Sequence, residues 1–305
     1  MKYKFLILTR SDIQKSLLYF YMKALWLVSF RPIGKSKIND FIQSVSVDSI
    51  NSINFDITFS LTQFDEVNVK EFVEEKKIKK FYNNISKDNL PEGKKYSNKL
   101  MLKNALDQYV ESDFEYLIFS SADIIVPNNL FEVLSKIKMS NFCAFIYPNT
   151  HITNGVIKNN YWPHYGIDLI VLKISKEKAV KFREIIESYE QYDWGIIENF
   201  YFAASEVLEL TKINLFKNLS VLKFNNDYET FNDDRKFQEK SWKENQKYFV
   251  KFLKKNNLSS LYAYGSYYYL LYKIFNFKDL NLNLLLSYLI FYPYYLSKKI
   301  LDKLK

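Results

Sequence analysis

Apolar positions along the first 235 residues fall into short runs that alternate with helix-period stretches, the pattern of an α/β sheet. Phe55-Asp-Ile-Thr-Phe-Ser-Leu61 alternates apolar and polar residues as a strand does, and Lys80 to Ile85 is a weaker strand. Lys4 to Leu8 reads as the first strand, and the apolar stretch up to Phe30 reads as a buried helix running from about Asp12. Ser97 is placed to cap a helix whose apolar face is Met101, Leu102, Ala105, Leu106, Tyr109 and Val110. Strands follow at Phe114 to Phe119, Phe142 to Tyr147 and Gly166 to Leu172. Helices are expected at Leu130 to Lys138 and from Ser175 to about Tyr189.

The remaining segment, 236–305, has a different character. Ser241-Trp-Lys-Glu244 is a capping box ahead of an amphipathic helix with Phe249, Phe252 and Leu253 on one face. Tyr262 to Phe275 and Leu282 to Leu296 follow, rich in tyrosine and leucine, and the latter is broken by Pro293. From Lys251 onward there are nine lysines against two aspartates, +7 of the chain's +9. Apolar stretches of this length do not span a bilayer. Leucine, phenylalanine and tyrosine flanked by lysine suit a helix lying on an anionic membrane, and packing on the sheet domain with lysines in water is the alternative.

Composition narrows the function. Residues 1–250 are close to neutral, which argues against nucleic acid as a partner. The six glycines write neither GxGxxG nor GxxxxGK[ST], so dehydrogenase-type and P-loop nucleotide sites are disfavoured, and pyrophosphorylase-type loops with them. The single cysteine, Cys143, sits in an apolar run and reads as core. No signal peptide is apparent, and a reducing, cytoplasmic compartment fits.

The stretch with most chemistry is Tyr116-Leu-Ile-Phe-Ser-Ser-Ala-Asp123, an apolar strand ending in a carboxylate before a Pro127 turn and a helix. In open α/β sheets ligands bind beyond the carboxyl ends of the strands. Asp123 either meets a ligand there or caps the next helix. A second stretch, Tyr192-Asp193-Trp194-Gly195-Ile-Ile-Glu198-Asn199, joins a flat aromatic face, a close backbone approach and acids able to take a proton.

Ser121-Ala122-Asp123 resembles the metal-binding strand end of GT-A glycosyltransferases, where Asp-X-Asp usually stands, with Ser121 in place of the first acid. The Trp194-Gly195 stretch resembles the acceptor element of the same enzymes, with one extra residue before Glu198. The resemblance, to family 2-like bacterial enzymes, covers roughly residues 1–235. It implies a mixed, mainly parallel sheet flanked by helices, carrying the nucleotide-sugar and acceptor sites, with 236–305 as a helical extension. It implies Mn²⁺ or Mg²⁺ held by Asp123 and, among the oxygen ligands after Phe224, by Asp227. Glu198, or alternatively Asp193, would be the base. Donor contacts would come from Thr9, Arg10, Asp65, Asn98, Lys99 and Ser121, and acceptor contacts from Trp162, His164, Asp168 and Trp194. The implied activity is sugar transfer to a glycan or lipid-linked acceptor in surface polysaccharide synthesis, peripheral on the inner face of the cytoplasmic membrane. The missing first acid leaves a catalytically inactive binding or scaffold protein as the alternative.

Overall fold

The first described strand, β1, is Lys23–Val28, inside the segment expected to be helical. Its residues Ala24 to Val28 are at most 5% exposed. A parallel strand covered on both faces is a continuous apolar run, with no alternation to mark it. That run merges in the sequence with the apolar residues before it, which is why period alone misassigned it. The computed structural model describes residues 23–90, 97–146, 148, 150–153, 156–159, 168–189, 197–215, 219–224, 245 and 247–258. The expected strand at Lys4 to Leu8 lies outside them.

After β1 come α1 (Lys37–Asn51), β2 (Asp56–Gln63), α2 (Val69–Glu75), β3 (Lys80–Asn84), α3 (Asn98–Glu111) and β4 (Tyr116–Ser120). A two-residue strand β5 (Ile124–Ile125) leads to α4 (Leu130–Ser135), then β6 (Phe142–Ile146), β7 (Thr150–Thr153), β8 (Val156–Asn159) and β9 (Leu169–Lys173). The series closes with α5 (Lys176–Ser188), α6 (Ile197–Val207), β10 (Thr211–Asn214), β11 (Leu222–Phe224) and a helix, α7, over 247–255. Serine side chains start three of the helices: Ser36, Ser97 and Ser175 accept from the backbone N–H groups of Asn39, Leu100 and Lys178.

The central sheet has seven strands in the order β10-β6-β9-β4-β1-β2-β3. β1 to β4 run parallel, and β9 alone is reversed, antiparallel to both β4 and β6. Strand side chains alternate between two cores. Leu25, Leu27, Leu117, Phe119, Cys143 and Phe145 face α3, α5, α6 and α7. Ala24, Trp26, Val28, Ile118, Phe142 and Ala144 face α1, α2 and α4. This is the mixed, mainly parallel sheet flanked by helices that the resemblance implies. A small second sheet, β5-β11-β7-β8, follows β4 along the chain, and the Phe224 N–H bond to the Asp123 carbonyl, 2.9 Å, extends its β5–β11 pairing.

α7 buries Phe249, Phe252 and Leu253 in the core, against Tyr189 and Phe200, while Lys247, Lys251, Lys254 and Lys255 face water. Its apolar face is therefore not available to a membrane. No described helix is long and apolar enough to cross one.

Candidate active site

Chain order reverses between β1 and β4: β2 and β3 lie to one side, and β4 starts the other. A crevice opens beyond the carboxyl ends at such a point. Two groups of residues shape it.

The first is the loop between β1 and α1. Two buried glutamines hold its backbone. The Phe30 N–H donates to Gln63 Oε1 at 3.1 Å, and Gln63 Nε2 donates to the Phe30 carbonyl at 3.3 Å. Gln43 does the same for Arg31, accepting its N–H at 2.6 Å and donating to its carbonyl at 3.4 Å. The amides stand in for a neighbouring strand, satisfying main-chain groups that leave the sheet. Gly34, at φ 88°, turns the loop into the Ser36 cap, its N–H donating to the Asp40 carboxylate. The backbone is fixed, and the Arg31 guanidinium has no partner among the described residues.

The second group lies beyond β4 and ahead of β9, which ends its antiparallel run at the same level. Buried Trp26 donates its indole N–H to Ser120 Oγ at 2.7 Å, and the Ser121 N–H donates to the Asp168 carbonyl at 3.0 Å. The Ser121 hydroxyl has one proton for two acceptors, Asp123 Oδ1 at 2.5 Å and Asp168 Oδ1 at 3.2 Å. Lys223 of β11 forms an ion pair with Asp168 and stands 4.0 Å from Asp123 Oδ2. These side chains are largely buried: 8% exposed for Asp168, 16% for Lys223 and 22% for Asp123.

Ser121, Asp123 and Asp168, expected in separate donor, metal and acceptor roles, thus meet at one spot. Lys223 was not anticipated. A lysine between Leu222 and Phe224 in a strand-like run is the signal that was there to read.

Other expected residues are engaged differently. Asp65 accepts from the Lys87 N–H at 2.8 Å and from the Asn84 amide at 3.0 Å, and the Lys87 bond foremost pulls its carboxyl below the ordinary range. Lys99 donates to the Glu187 carbonyl at 2.8 Å, tying α3 to the end of α5. Asn98 is the first residue of α3. Glu198 contributes backbone to the first turn of α6. Thr9, Arg10, Trp162, His164, Asp193, Trp194 and Asp227 lie outside the described residues. From residue 23 the expected helix is strand and loop, residues 12–22 lie outside the described ones, and the carboxyl end of β1 is Ser29-Phe30-Arg31. An open cleft of about 540 Å³ between Glu66, Lys70, Tyr82 and Asn84 lies past β2 and β3. At strand spacing it is roughly 10–14 Å from Asp123.

A divalent cation was expected at Asp123. Oxygen-ligated Mg²⁺ or Mn²⁺ needs several converging oxygens. Among the described residues no three His, Cys, Asp or Glu side chains come together. Asp123 Oδ1 already accepts from Ser121, and the Lys223 ammonium occupies the approach to Oδ2. Like unit charges about 4 Å apart repel by roughly 4 kcal/mol near a protein surface, and a divalent ion doubles that. Among the described residues, the donor set at Asp123 does not fit a divalent ion while Lys223 is in place.

No protein-family model matches the chain, and no curated protein matches it. Solved structures do. Staphylococcus aureus TarS (residues 1–349, in complex with UDP-GlcNAc) is similar with a TM-score of 0.51 at 8% identity, over 79% of this chain and 69% of that one. A further TarS structure matches at 0.45 and 9% identity over 76% of this chain, which spans 43% of it. A putative nucleotide-diphospho-sugar transferase from Desulfovibrio desulfuricans G20 matches at 0.42 and 12% identity, over 76% and 98% of the two chains. By sheet order and by likeness to the first of these, the chain has the GT-A-like fold of nucleotide-sugar transferases.

Proposed function

We propose that this protein is a glycosyltransferase moving a sugar from a nucleotide-sugar donor to a hydroxyl of a glycan or lipid-linked acceptor, in surface polysaccharide synthesis. The observation that carries this reading is the Ser121-Asp123-Asp168-Lys223 group at the switch point of a GT-A-like sheet. The UDP-GlcNAc complex of the TarS neighbour supports a nucleotide-sugar donor. In the reaction an acceptor oxygen attacks the anomeric carbon as the bond to the diphosphate oxygen breaks. The electron pair stays on that oxygen, and the acceptor proton goes to Glu198 or Asp193. A single displacement of this kind inverts the anomeric centre.

Contact with the inner face of an anionic membrane is proposed for residues 259–305 alone, because α7 uses its apolar face in the core. The serine in place of the first acid favours one other reading, a GT-A-like binding protein without catalysis.

The test is a thermal-shift panel of UDP-, GDP-, CMP- and dTDP-sugars on the native protein and Asp123→Asn. One nucleotide class is expected to raise the melting temperature, by the equivalent of about 2.7 kcal/mol at a hundredfold excess over Kd. The shift should shrink in the variant, and donor hydrolysis or transfer should accompany it. Binding without any turnover would favour the binding-protein reading. No shift with any nucleotide would remove the transferase reading.

A further inference from the structure

We infer that the donor diphosphate is met by side-chain cations, Lys223 with Arg31, in place of a divalent metal ion at Asp123. This rests on the transferase reading and specifies how its site handles charge.

Three observations carry it. Lys223 stands where a metal-bound site would need its cation: ion-paired with Asp168, 4.0 Å from Asp123 Oδ2, and fixed on β11 by the register of Leu222 and Lys223 on β5. Ser121 ties the two carboxylates together by its hydroxyl. A hydroxyl adds no negative charge, so the pair needs less compensation than three acids would. Arg31 then supplies a second cation. β1 and β4 pair in parallel up to Val28 with Ser120, so Arg31 leaves the sheet beside the strand end that carries Asp123. The glutamine clamp holds the Arg31 backbone there, and its guanidinium has no partner among the described residues.

The chemistry is consistent. Arginine forms paired hydrogen bonds with phosphate, and lysine acts as a point charge. As the bond to the anomeric carbon breaks, negative charge grows on the leaving diphosphate, where a fixed cation stabilises it without giving up a proton. The two positive charges balance the charge that grows on the leaving diphosphate, with no metal or co-reactant required.

The experiment has two arms on the full chain. Mn²⁺ alone is titrated against the native protein and followed by the free-ion EPR signal. No uptake is expected at millimolar ion, whereas stoichiometric uptake lost in Asp123→Asn would overturn the inference. Binding of the nucleotide-sugar found in the thermal panel is then measured with EDTA and with Mn²⁺, on native protein, Lys223→Met, Lys223→Arg and Arg31→Ala. Affinity should be the same in EDTA, fall by about 10- to 100-fold in Lys223→Met and in Arg31→Ala, as loss of a charged hydrogen bond implies, and recover in part in Lys223→Arg. Recovery in the arginine variant distinguishes lost charge from lost folding, and Arg31→Ala removes a side chain with no partner among the described residues. Binding abolished by EDTA and unchanged in Arg31→Ala would overturn the inference while leaving the transferase standing. Absence of all nucleotide binding would overturn both.

Discussion

The Tyr189 hydroxyl is buried without a hydrogen-bond partner among the described residues, although its ring stacks on Phe200 at 4.5 Å between centroids. Burial pushes the phenol far above its ordinary range, so it stays neutral. An unpaired buried hydroxyl costs about 1–3 kcal/mol, and Tyr189→Phe is expected to be as stable as the native chain or more so in urea unfolding. Glu66 offers a pH test. Burial raises its carboxyl above the ordinary 4.5, so the folded state holds this proton more tightly than the unfolded chain does. Its contribution to stability is full below that ordinary value and is lost as pH rises through the higher folded value. Glu66→Gln should therefore exceed the native urea midpoint at neutral pH and match it in acid. Cys143 is fully buried and its thiol is pushed well above its usual range, so a thiol reagent should label it only on unfolding. The sequence made Cys143, Ser121, Asp123 and Asp168 legible, because each stands in or beside an apolar run. That the last three share one spot was not legible, since it depends on the reversed pairing of β9 with β4.

Among elements, helix starts were easiest to read. Ser97 was recognisable as a cap and Ser175 as the start of a helix, and each accepts a backbone N–H three residues on. Ser97→Ala is expected to cost about 1 kcal/mol in unfolding free energy. β1 was misread because a strand covered on both faces has no period of its own. The loop after it was illegible for a different reason. Gln43 lies on α1 and Gln63 ends β2, yet both turn inward to bond Phe30 and Arg31, and local pattern does not report a buried amide's distant partner. Gln63→Leu would leave the Phe30 N–H and carbonyl without the amide. Faster hydrogen exchange at Phe30 than in the native protein, together with a lower melting temperature, is the expected outcome.

At the scale of the whole molecule, α7 belongs to the sheet domain, although its basic amphipathic sequence also suited a membrane. Amphipathicity reports that a face is covered, not what covers it. Phe249→Ala should cost about 3–5 kcal/mol, as truncation of a buried phenylalanine does, and a urea midpoint measures it. Under the membrane contact proposed for residues 259–305, replacing Lys298 and Lys299 with Glu should weaken binding to anionic vesicles by at least about 1 kcal/mol per charge. The reversed strand has a consequence for synthesis. β4 is complete at residue 120 and β6 at 146, yet β9, which separates them, ends only at 173. A nascent chain emerging from the ribosome therefore carries a four-stranded parallel sheet whose β4 edge is bare, followed by β6 with no neighbour on either side. Bare edges recruit other strands. During that interval the chain is most exposed to pairing with its copies on a polysome; the emergence of residues 169–173 joins β6 to β4, and β10 at 211–214 later covers the far edge of β6.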